Sequence, residues 1–208
     1  MKTVARRPPR PCVEPGCPGL TRGVLCSTHE AQRVAELWPA DLGRSAVPLT
    51  IVCGPPGSGK TTYALRRAER GHVVIDLDAI RARLSGAPWY RSGPEWIGPA
   101  LRERNRLLRA LASPPADVVA AWFIVAAPEA ERRAWWADVL GAQAVVVLEV
   151  PIAICIGRIK RDERRSDMVG TFVDAVRSWW RDYTPRDGDT VVRVGGGGGQ
   201  KSTREGAV

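Results

Sequence analysis

Beyond residue 48 the chain alternates short apolar runs with longer segments whose apolar positions recur at helical spacing. The runs are Leu49 to Cys53, His72 to Asp76, Asp117 to Val125, Ala144 to Val150 and Thr190 to Val194. Their largely continuous apolar character suits strands buried on both faces. Between them the pattern predicts helices over Lys60 to Arg70, Ala79 to Leu84, Pro128 to Leu140, Pro151 to Arg165 and Thr171 to Asp182, and a long one opened by Pro94 or Pro99 and ending near Ala112. Gly71 and Gly141 serve as stops. Strand and helix in alternation imply an α/β fold: five parallel strands in one sheet with helices on both faces. Ser85 to Gly93 reads as a loop.

The remaining segments differ in character. Residues 1–30 are rich in Pro, Cys, Gly and Arg with few large apolar side chains, so they cannot form a hydrophobic core unaided. Residues 31–47 read as a helical linker, 48–194 as the α/β domain, and 195–208 as a tail made flexible by its glycines. At 208 residues with 44% hydrophobic and 25% charged positions, the composition is that of a globular protein, and no apolar run approaches the length of a membrane span. The basic N-terminus lacks the apolar stretch of a secretory signal, so the expected location is cytoplasmic. There, five cysteines read as metal ligands or buried thiols rather than disulfides. The formal charge of +9 comes almost wholly from arginine, which suits bidentate contacts to phosphates. It points to a nucleic acid partner, although a basic surface also suits an enzyme whose only anion is ATP.

Directly behind the first strand, Gly54-Pro55-Pro56-Gly57-Ser58-Gly59-Lys60-Thr61, with Thr62 following, matches the phosphate-binding loop G-x-x-x-x-G-K-S/T. A strand delivers such a loop to the sheet edge, its glycines let backbone N–H groups close around phosphate oxygens, and the next helix aims its positive end at the same anion. Lys60 is expected to reach the β- and γ-phosphates of ATP, and Thr61 to ligate Mg²⁺. The third strand ends without the aspartate that motor-type ATPases carry there, and Glu149 is a weak substitute.

Near the N-terminus, Cys12, Cys17, Cys26 and His29 offer four ligands in eighteen residues, the donor set of closed structural Zn²⁺ sites. Metal binding would supply the folding free energy this coreless segment lacks. With Arg6, Arg7, Arg10 and Arg22 nearby, the module could dock on a nucleic acid backbone or equally on a protein. The run Cys12 to His29 resembles the short Cys-rich N-terminal element of some phage-type HNH endonucleases, without the nuclease's catalytic residues.

The phosphate loop followed by Asp78-x-x-Arg81, a strand ending in Val150-Pro151 and an arginine-rich helix with Arg158 and Arg161 resembles the polynucleotide kinase-type P-loop kinases. The resemblance implies Asp78 as the base that accepts the proton of a 5′-hydroxyl and Arg81 as the group that fixes the acceptor. A lid arginine pair, Arg158 and Arg161, would stabilise the transferring phosphoryl group, with Arg164 and Arg165 as alternates. Asp76 competes for the base role or stands behind Mg²⁺, and Asp78 alternatively caps a helix starting at Ala79. Trp122, Trp135, Trp136, Trp179 and Trp180 read as core, whereas Trp89, Tyr90 and Trp96 with Arg91 lie where a terminal base could stack. Cys53 and Cys155 read as inert buried thiols. The expected activity is ATP-dependent phosphotransfer to a nucleic acid 5′-hydroxyl. The alternatives are a kinase for a nucleoside, sugar or antibiotic, and a nucleic-acid-binding protein switched by ATP without phosphotransfer.

Overall fold

The computed structural model describes residues 10–13, 17–21 and 25–193. Arg6, Arg7, Arg22, Val194 and the glycine-rich tail lie outside the described residues. A two-stranded antiparallel ribbon, β1 (Arg10–Pro11) with β2 (Leu20–Thr21), precedes α1 (Ser27–Leu37). The main domain then runs β3 (Leu49–Cys53), α2 (Lys60–Leu65), β4 (His72–Asp76), α3 (Leu77–Ser85), α4 (Ile97–Ala110), β5 (Ala120–Ile124), α5 (Ala130–Leu140), β6 (Ala144–Glu149), α6 (Ile152–Arg161), α7 (Val169–Asp182) and β7 (Asp189–Arg193). Among the described residues, no helix is long and apolar enough to cross a membrane.

The five strands from β3 to β7 form one parallel sheet in the order β4-β5-β3-β6-β7. Central β3 has Leu49, Ile51, Val52 and Cys53 wholly buried, which is why its sequence is a continuous apolar run. Its side chains alternate between two cores: Ile51 and Cys53 join Phe123, Trp136 and Leu108 on one face, and Val52 joins Ile124, Leu148, Cys155 and Ile159 on the other. β4, which ends in Asp76, does not adjoin the phosphate-loop strand, because β5 is inserted between them. Helical crossovers allow a later strand to take that place, and the order of elements in sequence does not encode it.

Helix boundaries shift for local reasons. α2 ends at Leu65 instead of Arg70; only Ala64 in it is buried and Leu65 is exposed, so little packing holds the helix beyond that turn. The segment read as one helix from Pro151 to Arg165 breaks at Asp162, whose carboxylate caps a 3₁₀ turn over Glu163–Met168 by accepting from the Arg164 N–H at 3.2 Å. The division expected near residue 30 falls inside α1.

Helix α1 and the linker are fastened to the domain. Arg104 and Asn105, both buried on α4, donate to the Glu36 carbonyl at 2.7 and 2.9 Å, and Asn105 also donates to the Glu36 carboxylate at 2.6 Å. Burial pulls the Arg104 guanidinium down to about 10. Trp38 packs on Trp135 with ring centroids 5.2 Å apart, and Trp136 lies 4.8 Å from Phe123, so the linker caps an aromatic cluster that reaches the sheet. At the far edge, buried Arg133 on α5 pairs with Asp189 of β7 at 2.6 Å and donates to the carbonyls of Ala127, Pro128 and Thr184. A buried guanidinium satisfied in this way ties β7 to the body of the domain.

Trp136 is 1% exposed and touches Trp38, Trp135 and Phe123. Trp136→Ala is expected to cost about 3–5 kcal/mol in urea unfolding; a loss below 1 kcal/mol would show that this cluster does not hold the linker to the domain.

Candidate active site and metal centre

The phosphate loop has a backbone that side chains would obstruct. Gly57 has φ 76° and a Cβ there would come within 2.8 Å of the Cys155 carbonyl; at Gly54, φ 149°, it would come within 3.0 Å of the Leu148 carbonyl. The loop is thereby pressed against β6 and α6. Ser58 is buried and among the described residues its hydroxyl has no partner, which suits a loop whose polar groups await phosphate oxygens. The Lys60 ammonium donates to the carbonyls of Gly54 and Pro55 at 2.8 and 3.0 Å, across the mouth of the same loop. Burial lowers its pKa, opposed by Asp78 and Asp76.

Asp76 and Asp78 divide their roles differently from the reading that made Asp78 a helix cap. Asp76 is the cap: its Oδ1 accepts from the Asp78 N–H at 2.9 Å, and its Oδ2 accepts from the Thr61 hydroxyl at 2.6 Å. Both of its oxygens are thus committed. The Asp78 carboxylate accepts no hydrogen bond among the described residues, and it is pushed up by burial and by the Asp76 charge, against the pull of Lys60, Arg81 and Arg165. Thr61 with Asp76 behind it is the donor set that suits Mg²⁺ beside a nucleotide.

Of the remaining expected residues, Arg158 is the one delivered to the loop, donating to the carbonyls of Gly57 and Ser58 at 3.2 and 3.0 Å. Arg161, the last residue of α6, is exposed. The break at Asp162 turns Arg165 inward instead: its guanidinium lies 4.1 Å from the centroid of the Tyr90 ring, donates to the Tyr90 hydroxyl at 2.6 Å and acts on Asp78 electrostatically. Arg81 donates to the carbonyls of Ser92 and Gly93 at 2.9 and 3.4 Å, holding the loop beyond α3. Phe172 meets the Tyr90 ring edge-on at 5.4 Å, so this ring packs against two side chains of the protein itself while also lining a cavity. The signal for Arg165 was Asp162, a residue type that favours capping over helix interiors.

Other candidates are engaged structurally. Glu149 accepts from Tyr183 at 2.6 Å and from Arg193 at 3.0 Å. Cys53 and Cys155 are buried, and burial pushes the Cys53 thiol up to about 12. His72 accepts from the Trp122 indole at 3.2 Å.

In the N-terminal module the ligand atoms of Cys12, Cys17, Cys26 and His29 all lie within 4.8 Å of one another. The Cys17 and Cys26 sulfurs are 3.8 Å apart, and His29 Nδ1 is 3.4 Å from the Cys12 sulfur and 3.3 Å from that of Cys26. Two thiolates on one tetrahedral Zn²⁺ would be separated by about 3.7 Å given the usual Zn–S length, so the donor set and spacing fit that ion. The thiols and imidazole converge from β-ribbon flanks and the first turn of α1, with Leu25 the other buried apolar residue nearby. Metal analysis of the purified protein is expected to find about one zinc per chain, lost with a lowered Tm in Cys17→Ser. Unchanged stability after complete zinc removal would rule out a structural role.

Among curated proteins none is similar enough to this chain to count as a match. Solved structures that resemble it include an unliganded sugar kinase from Janibacter sp. HTCC2649, at 22% identity and TM-score 0.47 over 71% of this chain and 84% of that one. A shikimate kinase from Acinetobacter baumannii in complex with shikimate aligns at 20% identity and TM-score 0.41, over 74% and 87%. A gluconokinase from Sinorhizobium meliloti 1021 aligns at 21% and 0.42, over 73% and 83%. The family model described as "AAA domain" (AAA_33) matches residues 49–184, from the first residue of β3 to just beyond α7. That span is well over half of the chain and holds the phosphate loop, strands β3 to β6 and Arg158, and the chain belongs to the AAA domain family.

Proposed function

We propose that the protein is an ATP-dependent kinase of the P-loop type that phosphorylates a hydroxyl of a small molecule. The observation that carries this reading is the Asp78 carboxylate, which among the described residues accepts no hydrogen bond and interacts electrostatically with Lys60, while Asp76 takes both the cap and Thr61. The phosphate-loop amides and Lys60 hold the triphosphate of ATP. Mg²⁺, held at Thr61 with Asp76 behind it, supplies neutralisation of phosphate charge. The acceptor oxygen bonds to the γ-phosphorus as the bond from that phosphorus to the bridging oxygen breaks, ADP departs, and the hydroxyl proton passes to Asp78. Arg158 adds positive charge at the loop, and Arg165 does so on the acceptor side.

The loop that follows α3 favours a small acceptor. Tyr90 packs against Arg165 and Phe172, Arg81 is spent on loop carbonyls, and the cavity lined by Tyr90, Ser92 and Arg165 measures about 350 Å³, within the range of small-ligand sites. A nucleic acid 5′-hydroxyl, as in the polynucleotide kinase type, remains the second reading, favoured by the charge of +9 and by the Asp78-x-x-Arg81 pair. Labelled ATP offered to 5′-hydroxyl oligonucleotides and to a panel of small hydroxyl compounds separates them, and label found only in free phosphate would leave an ATP-switched binding protein.

Lys60→Ala is expected to lower kcat by about 10²- to 10³-fold. Asp78→Asn is expected to lower it by about 10²- to 10⁴-fold while leaving ATP affinity nearly intact; retained transfer in this variant rules out the base assignment. The raised Asp78 pKa also has a signed consequence for stability. Between its unfolded and folded values the folded state binds more protons, so stability falls as pH rises through that window. Asp78→Asn should therefore raise Tm at neutral pH, with the gain disappearing below the ordinary carboxylate range.

A further inference from the structure

The cavity beside the loop that follows α3 has walls of a distinct chemistry. Arg91, Arg164 and Arg165 line it together with Tyr90, Ser92 and Asp167, while Asp162 pairs with Arg164 at 2.8 Å and with Arg165 at 3.3 Å. Arg81, one turn after Asp78 on α3, donates to the carbonyls of Ser92 and Gly93, so the wall adjoins the turn that presents the proposed base. Arg91 forms an ion pair with Asp167 and also donates to the Ser166 hydroxyl at 3.0 Å. The Asp167 side chain is 69% exposed and that of Arg91 38%, which makes this pair weak and replaceable in water. Arg91 donates as well to the Glu163 carbonyl at 3.4 Å, so its one charged partner is an exposed carboxylate, and a guanidinium so placed is suited to exchange that carboxylate for another of better fit.

Resting on the kinase reading above, we propose that the acceptor carries an anionic group, a carboxylate or a phosphate, which Arg91 binds in place of Asp167 while Arg164 and Arg165 add charge. The hydroxyl to be phosphorylated then lies toward Asp78 and the anion toward the 3₁₀ turn. An anion on the acceptor gives a fixed orientation relative to the γ-phosphate, since bidentate pairing with a planar guanidinium restricts rotation. The exchange also gives the enzyme a preference against neutral analogues, which cannot compete with Asp167 for Arg91.

The test is calorimetric titration of the full chain, saturated with a non-hydrolysable ATP analogue and Mg²⁺, with matched probes: ribitol, ribonate and ribose 5-phosphate. At least one anionic probe is expected to bind tenfold or more tightly than ribitol. Arg91→Gln should remove that difference, and Asp167→Asn should tighten anion binding several-fold, a gain that a folding defect cannot produce. Ribonate alone showing the effect identifies a carboxylate, and ribose 5-phosphate alone a phosphate. Equal binding of ribitol, binding of neither anion, or a preference that persists in Arg91→Gln with no response in Asp167→Asn each overturns the proposal. Labelled ATP keeps the two readings apart: anion preference without label transfer to any probe counts against the kinase reading alone, and transfer to ribitol as readily as to the anions counts against this proposal alone.

Discussion

The hydrogen bond from the Thr61 hydroxyl to Asp76 Oδ2, 2.6 Å long, joins the start of α2 to the start of α3 across the intervening strand β5. Asp76 spends its other oxygen on the Asp78 N–H, so a single buried carboxylate fixes the helix that follows the phosphate loop and the helix that presents the acceptor-side acid. Two neighbouring carboxylates would ordinarily compete for the same partners. Here one accepts from neutral donors at both oxygens and the other is left to Lys60, Arg81 and Arg165, a separation of environments that would give the two aspartates the two roles of the proposed kinase.

A second constraint runs along the other side of the loop. Gly57 lies so close to α6 that any side chain would strike the Cys155 carbonyl, and Arg158 from the same helix donates to the Gly57 and Ser58 carbonyls. Loop and α6 therefore fix each other. The turn after α6 is fixed in turn by Tyr90, which adopts φ 67°, a conformation costing a bulky L-residue about 1–2 kcal/mol. Its contacts with Arg165 and Phe172, and the Arg91 ion pair to Asp167, offset that cost and join the segment after α3 to the segment after α6. The two walls of the cavity are thereby bonded to each other.

What the sequence revealed and what it concealed divide along physical lines. The central strands were legible because burial on both faces forces an apolar run, and the phosphate loop because its glycines are required by close approach. The strand order was not, since placing β5 between β3 and β4 depends on which crossover packs better and no local residue records it. Asp78 was read from the sequence as the base or a helix cap, and the capping role falls to Asp76, two residues earlier, because α3 starts at Leu77. Arg161 and Arg165 were separable only by noticing that Asp162 interrupts an otherwise helical pattern and so redirects everything after it.

The metal module and the domain meet in α1, a helix that buries none of its own residues and leaves Val34 and Leu37 exposed. Such a helix gains little from packing along its length, and isolated helices of eleven residues are marginal in water. It is instead held at its ends. His29, in its first turn, lies among the cysteine sulfurs, and Glu36, in its last turn, is gripped by the buried Arg104 and Asn105 of α4. Contacts at both ends thus stand in for a buried apolar face, and α1 connects the ligand cluster to α4, which in turn packs on α3.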